Sequence, residues 1–313
     1  MEDKEPVASV FDPFFLSRPV NWAELFGREA PLELEIGFGR GDFLAQRAGE
    51  RPEINIVGLE VSSLSVLKAW RRLSRENVSN VRIAKTEAFS ALFYFFPERC
   101  LARSWVLFPE PWPKARHEKR RLLSADFLRL LAARTIDGGE LFAATDWPDY
   151  RDWIIAEAGS SRAFSFESGD WPVPVTKYHE KWRAEGRDIY SLVFKKTKHP
   201  EVSGIFPREV EMSQIKLEDF KELPGVVSGF RPVAEEWGAG FLRIQKAYLS
   251  WDEAEALFLC FTSEGGFIQK FLVSAKRVGD VVLVKPQDHA HLIITPGVKR
   301  CVEAVARIVG PHP

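Results

Sequence analysis

The sequence predicts an α/β fold built on a parallel sheet. First, stretches with strand patterning alternate with stretches of helical patterning from Leu32 to Thr145. Second, the first of these strands runs directly into a glycine-rich turn, Gly37-Phe-Gly-Arg-Gly41. Third, Glu60, Glu110 and Asp146 each stand at or just past the end of a strand, the edge where ligands bind in open α/β sheets.

The elements follow in order. Leu32–Phe38 (LELEIGF) reads as a strand and Asp42–Gly49 as a helix after the turn. Asn55–Val61 is a second strand, and its aliphatic run suits burial on both faces. Ser62–Glu76 reads as a helix with Leu64, Leu67, Trp70 and Leu73 along one side and basic residues elsewhere. Val81–Lys85 and Ser104–Phe108 are further strands. Ser124 is placed to cap a helix over Ala125–Ala133, and Gly138-Gly139 read as a break before a strand at Glu140–Thr145.

The pattern changes at Lys195-Lys-Thr-Lys-His-Pro200. We expect a first domain over residues 1–197, a linker at 198–205 and a smaller α+β domain over 206–313. In that domain Phe241–Leu249, Ala256–Thr262, Phe267–Ala275, Val281–Lys285 and His291–Thr295 read as strands. Ser263-Glu-Gly-Gly266 reads as a hairpin loop, and Val298–Val309 as a closing helix.

Composition narrows the function classes. A hydrophobic share of 45% with 28% charged residues is ordinary for a soluble globular chain. The N-terminal segment is acidic without an apolar core, and no apolar run approaches the length of a membrane span, so a cytoplasmic protein with no membrane partner is expected. The 3 cysteines are scattered and predict neither a disulfide framework nor a zinc site. His289 and His291 would share a strand face but lack a third ligand, so no metal is expected. Net charge is −1, so any nucleic acid must be met by a local cluster of basic residues.

A strand, a glycine turn and a helix start together suit a nucleotide. Gly37, Gly39 and Gly41 fit a plain strand-to-helix turn, a dinucleotide site or an adenosylmethionine site. Glu35 is badly placed to greet a pyrophosphate, and a carboxylate there suits the cationic methionine end of S-adenosylmethionine. Glu60 ends the next strand, where an acid can bind both ribose hydroxyls.

The segment Leu107-Phe-Pro-Glu-Pro-Trp-Pro-Lys114 presents Glu110 on a loop stiffened by Pro109, Pro111 and Pro113. The prolines bias Phe108, Glu110 and Trp112 toward extended conformations. Stiffness is what a reacting group needs, because misplacement is costly. Lys114, Arg116, His117, Lys119, Arg120 and Arg121 follow at once, forming the local basic cluster that RNA binding requires.

Together these residues resemble the tRNA (guanine-N7)-methyltransferase family over about residues 20–196. The resemblance is carried by Glu35-Ile-Gly-Phe-Gly-Arg-Gly41, Val57-Gly-Leu-Glu-Val61, Phe108–Arg121, Thr145-Asp146, Thr176-Lys-Tyr178, Gly186 and Leu192-Val-Phe194. It implies a class I adenosylmethionine-dependent, Rossmann-like fold with a seven-stranded, mainly parallel sheet. It implies cofactor contacts at Glu35, Glu60, Glu87 and Glu110, and contacts to tRNA or the target base at Lys114, Asp146, Thr176, Lys177, Tyr178 and His179. Where the family usually has aspartate, this chain has Glu110 and Glu87; where it has phenylalanine and glutamate, this chain has Tyr178 and His179.

The expected reaction is methyl transfer from S-adenosylmethionine to N7 of a guanine in tRNA, at guanine 46 of the variable loop. That N7 lone pair carries no proton, so no general base is needed. Glu110 is the expected catalytic carboxylate for the positive charge that moves onto the purine, with Asp146 as a second acid at the base. Arg116, His117, Lys119, Arg120 and Arg121 would hold the RNA backbone. The alternatives are methylation of another RNA site, or a tRNA-binding protein with little or no turnover. In the accessory domain Lys270, Lys276, Arg277 and Lys285 either extend an RNA surface or merely protect strand edges.

Overall fold

In a computed structural model of the chain, residues 9–168, 171–174, 184–202, 204, 207–212, 214–238, 240–265, 267–287 and 292–311 are described. The chain divides into two compact units, Met1–Val202 and Ser203–Pro313.

The first unit is a mainly parallel sheet with helices between its strands. In chain order it contains β1 (Ser9–Val10), α1 (Trp22–Phe26), β2 (Leu32–Ile36), α2 (Asp42–Glu50), β3 (Asn55–Glu60), α3 (Ser63–Arg75), β4 (Val81–Lys85) and α4 (Ala88–Tyr94). It continues with β5 (Leu101–Leu107), α5 (Ala125–Arg134), β6 (Thr135–Thr145), α6 (Pro148–Ser161), β7 (Phe164–Ser168) and β8 (Tyr190–Lys196). The sheet has 8 strands in the order β1-β4-β3-β2-β5-β6-β8-β7. That is one more than the resemblance implies, because β1 adds a short parallel edge beside β4. Strands β2 to β6 pair in parallel, and β8 runs antiparallel to both β6 and β7. This is the class I methyltransferase arrangement. From β2 the chain winds outward to β4, then returns to β5 on the other side of β2. The crevice where the winding reverses lies at the carboxyl ends of β2 and β5.

Local chemistry explains the elements. β2 is buried along its whole length, as a strand covered on both faces must be. Ser62 and Ser124 cap α3 and α5, accepting from the N–H groups of Ser65 at 3.3 Å and Phe127 at 3.4 Å. One core cluster joins Leu44 and Ala48 of α2, Ile56 of β3, Ala69 and Leu73 of α3, and Ile83 of β4.

Two expectations need correction here. Gly138-Gly139 do not break the chain before a strand; they lie inside β6, where the register with β5 jumps from Leu101↔Thr135 to Arg103↔Glu140. Gly138 takes a left-handed φ of 75°, and a side chain at Gly139 would strike Thr135 at 2.6 Å, so both glycines serve a bulge. On α3 the buried side is Val66, Ala69 and Leu73, whereas Leu64 and Trp70 are 60% and 41% exposed.

The second unit is an antiparallel sheet with helices packed on one face. It contains β9 (Ile215–Leu217), α7 (Leu223–Ser228), β10 (Val233–Trp237), β11 (Gly240–Leu249), β12 (Glu255–Glu264), β13 (Phe267–Val278), β14 (Val281–Pro286) and α8 (Pro296–Val309). The 6 strands are ordered β10-β11-β12-β13-β14-β9. Alternation is strict along β12, where Ala256, Phe258 and Cys260 are buried in the core with Cys301, Val302 and Val305 of α8. Residues Leu292–Thr295, expected as the end of a strand, have no regular structure and lead into α8, with Thr295 as its N-cap. The hydroxyl of Thr295 is committed to the carboxylate of Glu264, which also accepts from Gly297 N–H at 2.8 Å. No helix among the described residues is long and apolar enough to cross a membrane.

Candidate active site

The site is built where β2 and β5 end side by side. Gly37, Gly39 and Gly41 have φ of 76°, 55° and 73°, a left-handed run that non-glycine residues adopt only at a cost. A side chain at Gly37 or Gly39 would meet open space, whereas one at Gly41 would press on Ala69 at 2.9 Å. The first two glycines therefore leave the cleft free, and the third lets α2 and α3 approach.

Glu35 is buried beside this turn. Its Oε2 has no hydrogen-bond partner among the described residues. Burial, and then the nearby charges of Asp42 and Glu60, push its carboxyl well above the usual carboxylate range. A buried acid with an unused oxygen facing a cleft is set up to gain a cationic partner.

Glu60 ties two loops together. One carboxylate oxygen accepts from Gly39 N–H at 3.0 Å, and the other from Val61 and Ser62 N–H at 2.8 and 3.0 Å. Glu87 caps α4, accepting from the N–H groups of Phe89 and Ser90, both at 2.8 Å. The sequence suggested a ligand contact for each; their carboxylates are also local organisers, Glu60 of the glycine turn and Glu87 of a helix start.

A pocket lined by Glu35, Gly37, Gly39, Phe43, Ser65 and Leu107 joins the glycine turn to the end of β5. Glu110 lies just beyond, exposed, with no hydrogen bond or ion pair to the described residues. Its loop is stiff for a different reason from the one expected. Phe108 and Trp112 are not extended but left-handed, with φ of 54° and 45°. Tertiary contacts override the local bias: Phe108 N–H donates to Ala144 O at 2.8 Å, and its ring packs on a cluster that includes Phe43, Trp105 and Leu107. Such conformations cost about 1–2 kcal/mol each and gather at functional sites.

The basic run divides. Lys114, Arg116, Lys119 and Arg120 are exposed, although Arg120 lies over the ring of Trp112 at 5.0 Å. His117 meets the same ring edge-on at 5.7 Å. Trp112 is thus engaged by its own loop. Arg121 turns inward, and the expectation that it holds RNA is corrected here. Its side chain is 9% exposed and pairs with Glu118. It donates to Pro111 O at 2.9 Å and lies over the rings of Tyr150 and Trp153 at 5.5 and 5.1 Å. Arg121→Ala is expected to lower stability by about 1–3 kcal/mol through the orphaned Pro111 carbonyl and lost ring contacts, read as a lower denaturation midpoint.

Asp146 directly follows β6 and is ion-paired at 2.8 Å with Arg187, the residue after Gly186 in the resemblance. Thr176, Lys177, Tyr178 and His179 lie outside the described residues, as do His289 and His291. No group of 3 or more potential metal ligands occurs among the described residues.

The sequence reading missed one feature. Arg40, Lys68, Arg71, Arg72 and Arg75 line a concave surface next to the pocket, sharing Arg40 and Lys68 with its wall. Arg72 is paired with Asp42 at 2.6 Å, and the others extend a basic rim. The spacing 68, 71, 75 on one helix face was the available signal.

Comparison with known proteins agrees with this geometry. Residues 29–192 match a family described as putative methyltransferase. A tRNA (guanine-N(7)-)-methyltransferase of Thermotoga maritima is 33% identical over 290 residues, covering 90% of each chain. The protein of that name from Aquifex aeolicus is 29% identical over 290 residues, covering 89% of this chain and 94% of its own. One from Thermus thermophilus is 41% identical over 180 residues, covering 57% of this chain and 58% of its own. Coverage of this extent takes the first two matches well into the second unit. A methyltransferase sheet, a glycine turn facing a buried acid, and relatives matched along nine-tenths of the chain place it in one group: the chain belongs to the tRNA (guanine-N(7)-)-methyltransferase family.

Proposed function

We propose that this chain transfers a methyl group from S-adenosylmethionine to N7 of a guanine in tRNA, at guanine 46 of the variable loop. The observation that carries the donor half is Glu35. A buried carboxylate with an unused oxygen, beside glycines that leave the cleft open, fits a ligand with a cationic amino-acid end. The donor supplies an electrophilic methyl on a sulfonium. In this reading Glu35 holds its charged tail, Glu60 uses its remaining lone pairs on a ribose, and Glu87 adds whatever its cap leaves free. The target half is supported by the names of the relatives and by the exposed Lys114, Arg116, Lys119 and Arg120 beside Glu110. The rim of Lys68, Arg71 and Arg75, next to the pocket, adds a second set of phosphate contacts.

Glu110 faces the purine in this scheme and stabilises the positive charge it acquires, while the pair Asp146–Arg187 orients the base edge. Thr176, Lys177, Tyr178 and His179 belong to the same proposed base-binding set. No residue needs to take a proton, since N7 has none to give.

The test is methylation of unmodified tRNA with labelled donor, followed by strand cleavage specific to N7-methylguanine. Cleavage at guanine 46 and nowhere else is expected. Label at another nucleotide would move the target, and absence of label would remove the activity.

A further inference from the structure

The sheet of the second unit has a face that α7 and α8 do not cover, and its register assembles an unusual surface. Reading across β11, β12 and β13, Arg243 lies opposite Phe261, which lies opposite Lys270. The next row is Lys246, Leu259 and Leu272. The row beyond is Tyr248, Leu257 and Ser274, continued by Lys285 on β14. Side chains paired in this way share a face. It is the face opposite the core, because Phe258 and Cys260, their neighbours along β12, are buried under α8.

Arg243, Lys246, Lys270 and Lys285 are exposed, and none makes an ion pair among the described residues. That distinguishes them from Lys216, paired with Glu218, and Arg277, paired with Glu222, both in the same unit. The acids on the face are peripheral: Glu236 lies beside Phe241 on the outer strand β10, and Glu255 accepts from Ser274 at one end. At that end Tyr248 is half exposed, and Trp251, in the turn from β11 to β12, is 96% exposed. Strand geometry puts Arg243 and Lys270 about 10 Å apart, flanking Phe261, with the next row about 7 Å away.

Edge protection would put unpaired cations on the outermost strands. Here Arg243, Lys246 and Lys270 sit on interior strands, so that explanation does not account for them. In a chain of net charge −1, unpaired cations interleaved with rings on one sheet face complement a polyanion that also offers stacking surfaces. We propose that this face binds RNA: a second segment of the same tRNA, whose phosphates pair with Arg243, Lys246, Lys270 and Lys285 and whose exposed bases meet Tyr248 and Trp251. The identity of the RNA rests on the function proposed above.

The experiment uses the full chain carrying Lys246→Glu, Lys270→Glu and Lys285→Glu together, with Lys→Gln at the same positions as a milder set. Binding to unmodified tRNA is measured across a salt series. Each lost phosphate contact removes about 0.7–0.9 from the slope of log affinity against log salt. The charge variants should therefore lose about 2–3 from that slope and bind at least tenfold more weakly near 0.1 M salt. KM for tRNA should rise while kcat and donor affinity hold. Tyr248→Ala with Trp251→Ala should weaken binding severalfold and leave the slope alone. Unchanged affinity and slope in the folded Lys→Gln chain overturn the proposal, and would leave the face to a protein or to solvent. If the parent chain methylates tRNA but the face variants bind like the parent, only this inference fails. If the parent leaves guanine N7 unmethylated while the face variants still lose RNA affinity and slope, the proposed reaction fails and the RNA surface stands.

Discussion

Glu110→Ala is expected to lower kcat for methyl transfer by about 10²–10³-fold, the range seen when one preorganised electrostatic group is removed. Donor affinity should change far less, because the buried acid at the pocket is Glu35 and not Glu110. Glu110 follows β5 three residues after Leu107, which lines the pocket, and nothing in the described protein consumes its carboxylate. Its loop is held by Phe108 N–H on Ala144 O and by Arg121 on Pro111 O, so the acid is displayed on a braced support. Glu110→Gln separates charge from hydrogen bonding. A role in stabilising the cationic purine predicts that Gln is nearly as damaging as Ala; a role only in holding the base edge predicts that Gln keeps most of the rate. An Ala variant within severalfold of the parent under saturating tRNA would remove Glu110 from the chemistry.

The parts that sequence alone made legible are those where one residue type has one local reason. Gly37, Gly39 and Gly41 announced a strand-to-helix turn, and the structure has one between β2 and α2, with all three glycines left-handed. Ser124 announced a cap, and the alternating segment Ala256–Thr262 announced a strand. Several failures share a cause: the deciding partner lies far away in the chain. Leu64 and Leu73 were read as one apolar stripe, yet at about 100° per residue they point in opposite directions. Only the packing of Val66, Ala69 and Leu73 against α2 and β4 fixes which side is inside. In the same way Arg121 looked like its basic neighbours, and its acceptors Tyr150 and Trp153 belong to α6. Proline bias at Phe108 lost to an apolar cluster that includes Trp105 of β5 and Phe142 of β6. The misses at Phe108 and Arg121 fall on residues that brace the loop of Glu110, where local preference yields to tertiary contacts.

Glu35→Gln should reverse sign between stability and binding. In the free chain the folded-state pKa of Glu35 is raised above its unfolded value, chiefly by burial. Below the unfolded pKa both states hold the proton and the group costs nothing. As pH rises from there, the unfolded chain releases its proton first while the folded chain still holds its own, so stability falls through the window up to the folded pKa. Glutamine has no proton to lose and removes that fall. The variant should melt a few degrees higher at neutral pH, since ~1 kcal/mol moves the midpoint by roughly 2–4 °C in a chain of this size. It should equally be flat where the parent loses stability with rising pH. Binding runs the other way. A cationic ligand beside Glu35 favours the carboxylate, so binding S-adenosylmethionine should release a proton and strengthen as pH rises to the free-chain pKa. Losing a charge-assisted hydrogen bond, worth about 1.5–3 kcal/mol, should weaken donor affinity roughly 10- to 100-fold and abolish its pH dependence. Calorimetry of donor binding at several pH values, paired with thermal melts of the free chain, reads both effects. A variant that binds the donor as tightly as the parent, with the same pH dependence, would show that the charged tail lies elsewhere. The two signs belong together: an unsatisfied buried acid is a defect in the free fold, and in the proposed reading the cationic end of the donor completes it.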